Sequence, residues 1–125
     1  LGRPYRISGR VIKGAQLGRT LDVPTANLQL KRLPAPRFGV YAVQAELADG
    51  RCYPAAANLG VRPTVNGTHC LLEVHIMDFK RDLYGQRINV HFEHYLRPET
   101  RFADTQALRT QMLDDIKQAR QLLAR

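Results

Sequence analysis

Tryptophan is absent from this chain of 125 residues, and aromatic residues together make up only 7% of it. A barrel that gripped single-stranded nucleic acid by stacking would want aromatic side chains on neighbouring strands, so that class starts with little support. Cysteine is nearly as scarce, with Cys52 and Cys70 the only two. Their separation matches no metal-ligand spacing, and two thiols do not build a disulfide framework. They read as buried or idle thiols. No apolar run approaches the roughly 18 residues of a membrane span, and the first residues show no signal-peptide pattern. The simplest expectation is a cytoplasmic protein.

What is present sets the scale. Hydrophobic residues reach 44%, enough for a sizeable core, and the length suits a single domain over residues 1–125. A formal charge of +8 suits a polyanionic partner such as a polyphosphate substrate, nucleic acid or anionic lipid. The basic residues are scattered from Arg3 to Arg125 rather than grouped, which speaks mildly against a dedicated nucleic-acid stripe.

Most of the chain carries β signals. Residues 6–13 alternate around Ile7, Val11 and Ile12 and predict a first strand. Residues 14–27 read as a loop, and residues 31–37, with Pro34 and Pro36, as a second irregular stretch. Strands are expected over 39–47 and 51–59, joined at Asp49-Gly50, then over 70–79 after the Asn66-Gly67 turn, and over 87–95 after the Tyr84-Gly85 break. The period then changes. Leu108, Met112, Ile116, Ala119 and Leu123 recur as one face of an amphipathic helix, with Asp104 as its N-cap and arginines toward its end. The fold class predicted is mainly β: a compact antiparallel barrel of five or six strands capped by a C-terminal α-helix.

The segment from Gly14 to Asn27 holds the first candidate chemistry. Glycines let backbone amides approach a phosphate, and Arg19 adds charge for its oxygens. It is not a Walker A loop, because Gly14 and Gly18 are one residue too close and Arg19-Thr20 replaces Lys-Ser/Thr. A plain surface loop would explain the glycines equally well. The Thr25 hydroxyl and Asn27 carbonyl are oxygen ligands of the kind Mg²⁺ accepts, and an extended backbone points both the same way. A turn satisfied by its own side chains is the simpler account of the same residues. In the run Leu71 to Met77, Glu73 and His75 share a face opposite Leu72, Val74 and Ile76, so Glu73 either lines a site or faces solvent. His91 and His94, three positions apart in a strand, are expected on opposite faces, which argues against a shared zinc ion.

Taken in order, these segments resemble the riboflavin kinase family across nearly the whole chain. The matching stretches are Gly9-Arg-Val-Ile-Lys-Gly14, Leu17-Gly-Arg-Thr-Leu21 with Pro24-Thr-Ala-Asn27, Gly39-Val-Tyr41 and Asn58-Leu-Gly-Val-Arg-Pro-Thr64. They continue with Leu72-Glu-Val-His-Ile76, Asp82-Leu-Tyr-Gly85 and Leu96-Arg-Pro-Glu99 followed by Phe102. The opening Leu1-Gly-Arg-Pro-Tyr5 resembles the start of the kinase half of the bacterial bifunctional enzyme that makes FMN and then FAD. The adenylyltransferase domain that precedes it in the family is expected to be absent from this chain, which should then make FMN but not FAD.

The resemblance implies a six-stranded antiparallel Greek-key barrel with a terminal helix, and transfer of the γ-phosphate of ATP to the ribityl 5′-hydroxyl of riboflavin. It assigns Glu73 as the catalytic base. Gly14, Gly18 and Arg19 would embrace the nucleotide phosphates, and Thr25 and Asn27 would hold Mg²⁺ and phosphate oxygens. Ile76, Asp78 and Tyr84 match positions that seat ATP, and Arg97, Thr100 and Phe102 match the region that closes over the flavin. Thr100 departs from a more basic residue in some relatives, and Asp22 stands where many have glycine. Two other classes fit the β pattern and charge: a non-catalytic nucleic-acid-binding barrel, which would bind oligonucleotides with a steep salt dependence, and an FMN-binding redox barrel, which would purify yellow.

Overall fold

The computed structural model describes residues 5–12, 25–30, 37–64, 67–77, 83–100 and 103–123; for 62–64 and 67–69 it describes the main chain alone. Among these residues the alternating segments form six strands, β1 Tyr5–Ile12, β2 Ala26–Leu30, β3 Gly39–Glu46, β4 Cys52–Thr64, β5 Gly67–Ile76 and β6 Arg87–Arg97. All neighbours are antiparallel, and the strands close into a barrel in the order β1-β2-β5-β4-β3-β6. Strands β3, β4 and β5 follow one another, β2 lies beside β5, and β6 returns beside β3. Two overlapping Greek keys result.

Turn chemistry fixes the connections. At Asp49-Gly50 the Leu47 N–H donates to the Arg51 carbonyl and the Gly50 N–H to the Leu47 carbonyl, both at 2.9 Å, with Gly50 at φ 85°. The Tyr84-Gly85 turn is tied to the end of β1: the Gly85 N–H donates to the Val11 carbonyl and the Val11 N–H to the Gln86 carbonyl, each at 2.9 Å. Gly39 cannot be replaced cheaply. It adopts φ 152°, and a Cβ there would lie 2.5 Å from the Arg97 carbonyl and 2.7 Å from the Tyr95 ring. Beside it, the Tyr41 hydroxyl donates to the Arg37 carbonyl at 2.6 Å, and the Arg37 guanidinium stacks 3.8 Å from the centre of the Tyr95 ring.

The barrel interior is filled rather than hollow. Leu28, Leu59, Leu72, Val43, Val74 and Val90 are all fully buried there, with Tyr41 and Phe92 packed edge to face at 4.8 Å between ring centres. A second, smaller apolar layer lies outside the wall. The helix α1, Thr105–Leu123, packs on β3, β4 and β6, joining Ala119, Leu123 and Ile116 to Ala42, Ala56, Met77 and Leu96. The small side chains of Ala42 and Ala56 let the helix approach the sheet closely. Asp104 caps α1 as expected, its carboxylate accepting the Ala107 N–H at 2.7 Å.

Three details differ from the sequence expectation. Residues 26–30 form β2 rather than the end of a loop, because pairing with β5 supplies hydrogen bonds that so short a run does not advertise. Strand β4 runs on to Thr64, β5 begins at Gly67 rather than at Cys70 and ends at Ile76, and β6 runs on to Arg97. The third is a bulge: His94 pairs with Ala42 while Phe92 pairs with Val43, so the extra residue Glu93 returns His94 to the outer face. His91, opposite Gln44, is on that outer face too. The two histidines therefore share a side of the sheet, contrary to strict alternation. The His91 ring is held by Glu46, with Nε2 2.8 Å from Oε1.

Candidate active site on the outer wall

Strand register lines up the candidate residues. Asn27 on β2 is directly opposite Glu73 on β5; Glu73 is opposite Asn58 on β4; Asn58 is opposite Val40 on β3; and Val40 is opposite Arg97 on β6. On the other side Asn27 is opposite Ile12 at the end of β1. Side chains directly opposite in a sheet share a face, with Cβ atoms about 5 Å apart. The adjacent row, Leu28, Leu72 and Leu59, points into the core, so the row containing Glu73 faces outward. With strands about 4.8 Å apart, Glu73 and Arg97 stand roughly 14 Å from each other along this row.

Asn27 is 8% exposed, an unusual burial for a carboxamide on an outer wall, while Glu73 is half-buried beside it. Thr25 directly precedes β2, and alternation carried one residue back places it on the Asn27 face. The Thr25 hydroxyl and the Asn27 carboxamide oxygen are hard-oxygen donors that fit Mg²⁺, which takes few protein ligands and completes its shell with phosphate oxygens and water. Among the described residues there is no group of three or more His, Cys, Asp or Glu side chains that would make an all-protein metal cage.

The flavin-side candidates divide. Arg97 is bound within the protein: Nε donates to Asp115 Oδ1 at 2.8 Å, Nη2 to Asp115 Oδ2 at 2.7 Å and Nη1 to the Pro98 carbonyl at 3.0 Å. This forked pair clamps α1 to the end of β6 and fixes the chain that follows. Thr100 is exposed, its hydroxyl donating to the Pro98 carbonyl at 3.3 Å. Between them Glu99 folds back over β4, where a Cβ on Gly60 would fall on its carboxylate. The segment 97–100 thus lies against the outer wall two residues along β4 from Asn58.

Of the nucleotide-side candidates, Tyr84 is 57% exposed on its turn. Ile76 is buried in the barrel core, so only its main chain could meet a nucleotide. Gly14, Gly18, Arg19, Asp78 and Phe102 lie outside the described residues.

Two residues at the site escaped sequence reasoning. Asp115 is buried on α1, and its signal was an acidic residue within the apolar stripe, one turn before Ala119. Asn58 carries no signal in the sequence beyond its place in the Asn58–Thr64 stretch. Its Oδ1 is buried and has no hydrogen-bond partner among the described residues. Elsewhere on the wall, a hydrogen bond from His91 is the main cause holding the Glu46 carboxyl below its ordinary 4.5. Burial pushes the Tyr41 hydroxyl above its ordinary 10.0.

The class defined by this arrangement is a closed Greek-key barrel with a packed interior and a carboxylate-centred polar row on its outer wall. Comparison with known proteins carries the identification further. The family described as Flavokinase, riboflavin kinase, matches residues 1–123. A bifunctional riboflavin kinase/FMN adenylyltransferase of Pseudomonas fluorescens is 51% identical over 125 residues, covering 99% of this chain and 40% of that protein. The Escherichia coli K12 protein of the same description is 46% identical over 121 residues, covering 97% of this chain and 39% of its own length. The chain thus spans about two fifths of the curated relatives it matches. Among solved structures, one described as a macrolide-efflux protein from Streptococcus pneumoniae superposes with a TM-score of 0.84 at 36% identity, over 95% of this chain and 39% of that one. Riboflavin kinase from Trypanosoma brucei shares the fold, with a TM-score of 0.67 at 24% identity over 97% of this chain and 80% of its own. The chain belongs to the riboflavin kinase family. Among the described residues no helix is long and apolar enough to cross a membrane.

Proposed function

We propose that this chain transfers the γ-phosphate of ATP to the ribityl 5′-hydroxyl of riboflavin, giving FMN and ADP. The observation that carries the reading is the outward row in which Glu73 stands directly between Asn27 and Asn58, in a chain of this family. Glu73 accepts the proton of the 5′-hydroxyl as that oxygen forms its bond to the γ-phosphorus and the bond to the β,γ-bridging oxygen breaks. A carboxylate serves as the base if well placed. Phosphoryl transfer has a loose transition state, so alignment and charge neutralisation dominate the rate.

Thr25 and Asn27 hold the phosphate end, and Gly14, Gly18 and Arg19, as the family resemblance implies, bind the nucleotide phosphates. Bound through the Thr25 and Asn27 oxygens, Mg²⁺ would offset charge on the phosphate oxygens. Tyr84, Asp78 and the main chain of Ile76 help seat ATP, as the family resemblance implies. The flavin ring lies toward Arg97, Thr100 and Phe102, where Arg97 acts by fixing the segment rather than by offering a free guanidinium. The kinase reading places this chain as the FMN-forming part of a longer cytoplasmic enzyme whose other part is an FMN adenylyltransferase, as in the bifunctional relatives. Incubation with riboflavin, ATP and Mg²⁺ followed by separation of the flavins tests it. FMN formed only when all three are present supports the reading; no FMN from folded protein overturns it. The nucleic-acid-binding and redox-barrel alternatives have no observation of their own in their favour.

A further inference from the structure

The Asn58 carboxamide has no assignment in the mechanism above, yet it occupies a position between the two halves of the site. Glu73 is directly opposite it on β5 and Val40 on β3; Glu99 lies over Gly60, two residues further along β4. Its Oδ1 is buried without a hydrogen-bond partner, the only such side-chain atom among the described residues. Buried acceptors are nearly always satisfied, because an unmade hydrogen bond leaves the desolvation penalty standing. An orphan acceptor beside a candidate catalytic carboxylate marks a place where a donor arrives with the ligand.

The shape of the acceptor substrate says which donor. Its flavin ring and its reacting hydroxyl are joined by a chain bearing secondary hydroxyls. With the terminal hydroxyl on Glu73 and the ring toward the 97–100 segment, that chain passes over β4. Asn58 is the polar side chain that β4 contributes to the row there. We propose that Asn58 binds the polyol chain of the phosphoryl acceptor, its Oδ1 accepting a hydrogen bond from a secondary hydroxyl and so aligning the terminal hydroxyl on Glu73. The inference rests on the riboflavin kinase reading and adds to it the residue that recognises the chain between ring and phosphate.

The test uses Asn58→Ala and Asn58→Leu, the second keeping the side-chain volume. Riboflavin affinity is read by quenching of its fluorescence, Mg·ATP by its KM, and stability by the melting temperature. Each variant should bind riboflavin about tenfold more weakly, the range of one lost hydrogen bond. The Mg·ATP KM should not change. The melting temperature of the leucine variant should not fall, because an unsatisfied buried acceptor has been removed rather than a contact. A merely structural asparagine would show the opposite pattern, lower stability with both substrates affected alike, and that result overturns the inference. Unchanged riboflavin affinity in both variants also overturns it while leaving the kinase reading intact. Failure of the unsubstituted chain to bind riboflavin at all overturns both.

Discussion

Replacing Asp115 by alanine should unfasten α1 from the barrel. Its carboxylate takes two hydrogen bonds from Arg97, at 2.8 and 2.7 Å, and one from Gln111 at 3.0 Å. The Asp115 side chain is 7% exposed and that of Arg97 20%, so the substitution leaves a largely buried guanidinium without its counter-charge. Removing one partner of a buried pair costs about 3–5 kcal/mol, and the partial exposure of Arg97 argues for the lower end, about 3 kcal/mol. At roughly 2.1 cal/mol/K per residue the unfolding entropy of a chain this size is about 0.26 kcal/mol/K, so the melting temperature should fall by about 10 °C. Thermal unfolding followed by circular dichroism reads this directly. The double variant Arg97→Met with Asp115→Leu should recover most of the loss, since apolar residues of similar size replace a buried pair at little net cost. A drop under about 2 °C for Asp115→Ala would place the pair with ordinary surface salt bridges and refute the reasoning. Because Arg97 also holds the Pro98 carbonyl, the single variant should weaken riboflavin binding as well.

Other predictions follow from neighbouring contacts. Gly60→Ala should raise the riboflavin KM with little change in melting temperature, because the new Cβ displaces only the flexible Glu99 carboxylate and with it the 97–100 segment; equal KM values would detach that segment from the flavin site. Gly39→Ala meets a carbonyl and a φ of 152° instead, and should destabilise the fold by about 2 kcal/mol or more in chemical denaturation. Thr25→Ala should raise the Mg²⁺ and ATP concentrations needed for half-maximal rate, and unchanged requirements would remove Thr25 from the metal site. The Glu46 carboxyl is held below its ordinary 4.5, so its stabilising contribution is present above that pH and is lost as pH falls through its lower folded-state value. The melting temperature should therefore fall more steeply as pH drops below that ordinary value in the native chain than in Glu46→Gln.

The parts of the fold that were legible in the sequence are those set by local chemistry. Asp49-Gly50 announced its hairpin because the turn needs a residue at positive φ, and the helix announced itself through an apolar stripe with Asp104 in front of it. Strand β2 was hidden because five residues offer too little alternation, and what makes them a strand is β5, far along the chain. The two histidines were placed on opposite faces because alternation cannot reveal the bulge at Glu93. The site follows the same division. Glu73 could be placed on a non-core face from its neighbours alone, and Thr25 and Asn27 recognised as oxygen donors, but their assembly depends on register between β2, β5 and β4. Asn58 shows the limit most clearly, since nothing in Ala-Ala-Ala-Asn-Leu says that it stands directly opposite Glu73.

The central claim is that the outward row on this barrel is where the phosphoryl group moves, with Glu73 taking the proton. Its most direct test is the turnover of Glu73→Gln at saturating riboflavin and Mg·ATP, measured beside its riboflavin affinity. Loss of general-base assistance should lower kcat by about 10²–10⁴-fold while the affinity stays within a few-fold of the native value. FMN formation at the native rate by Glu73→Gln would contradict the account.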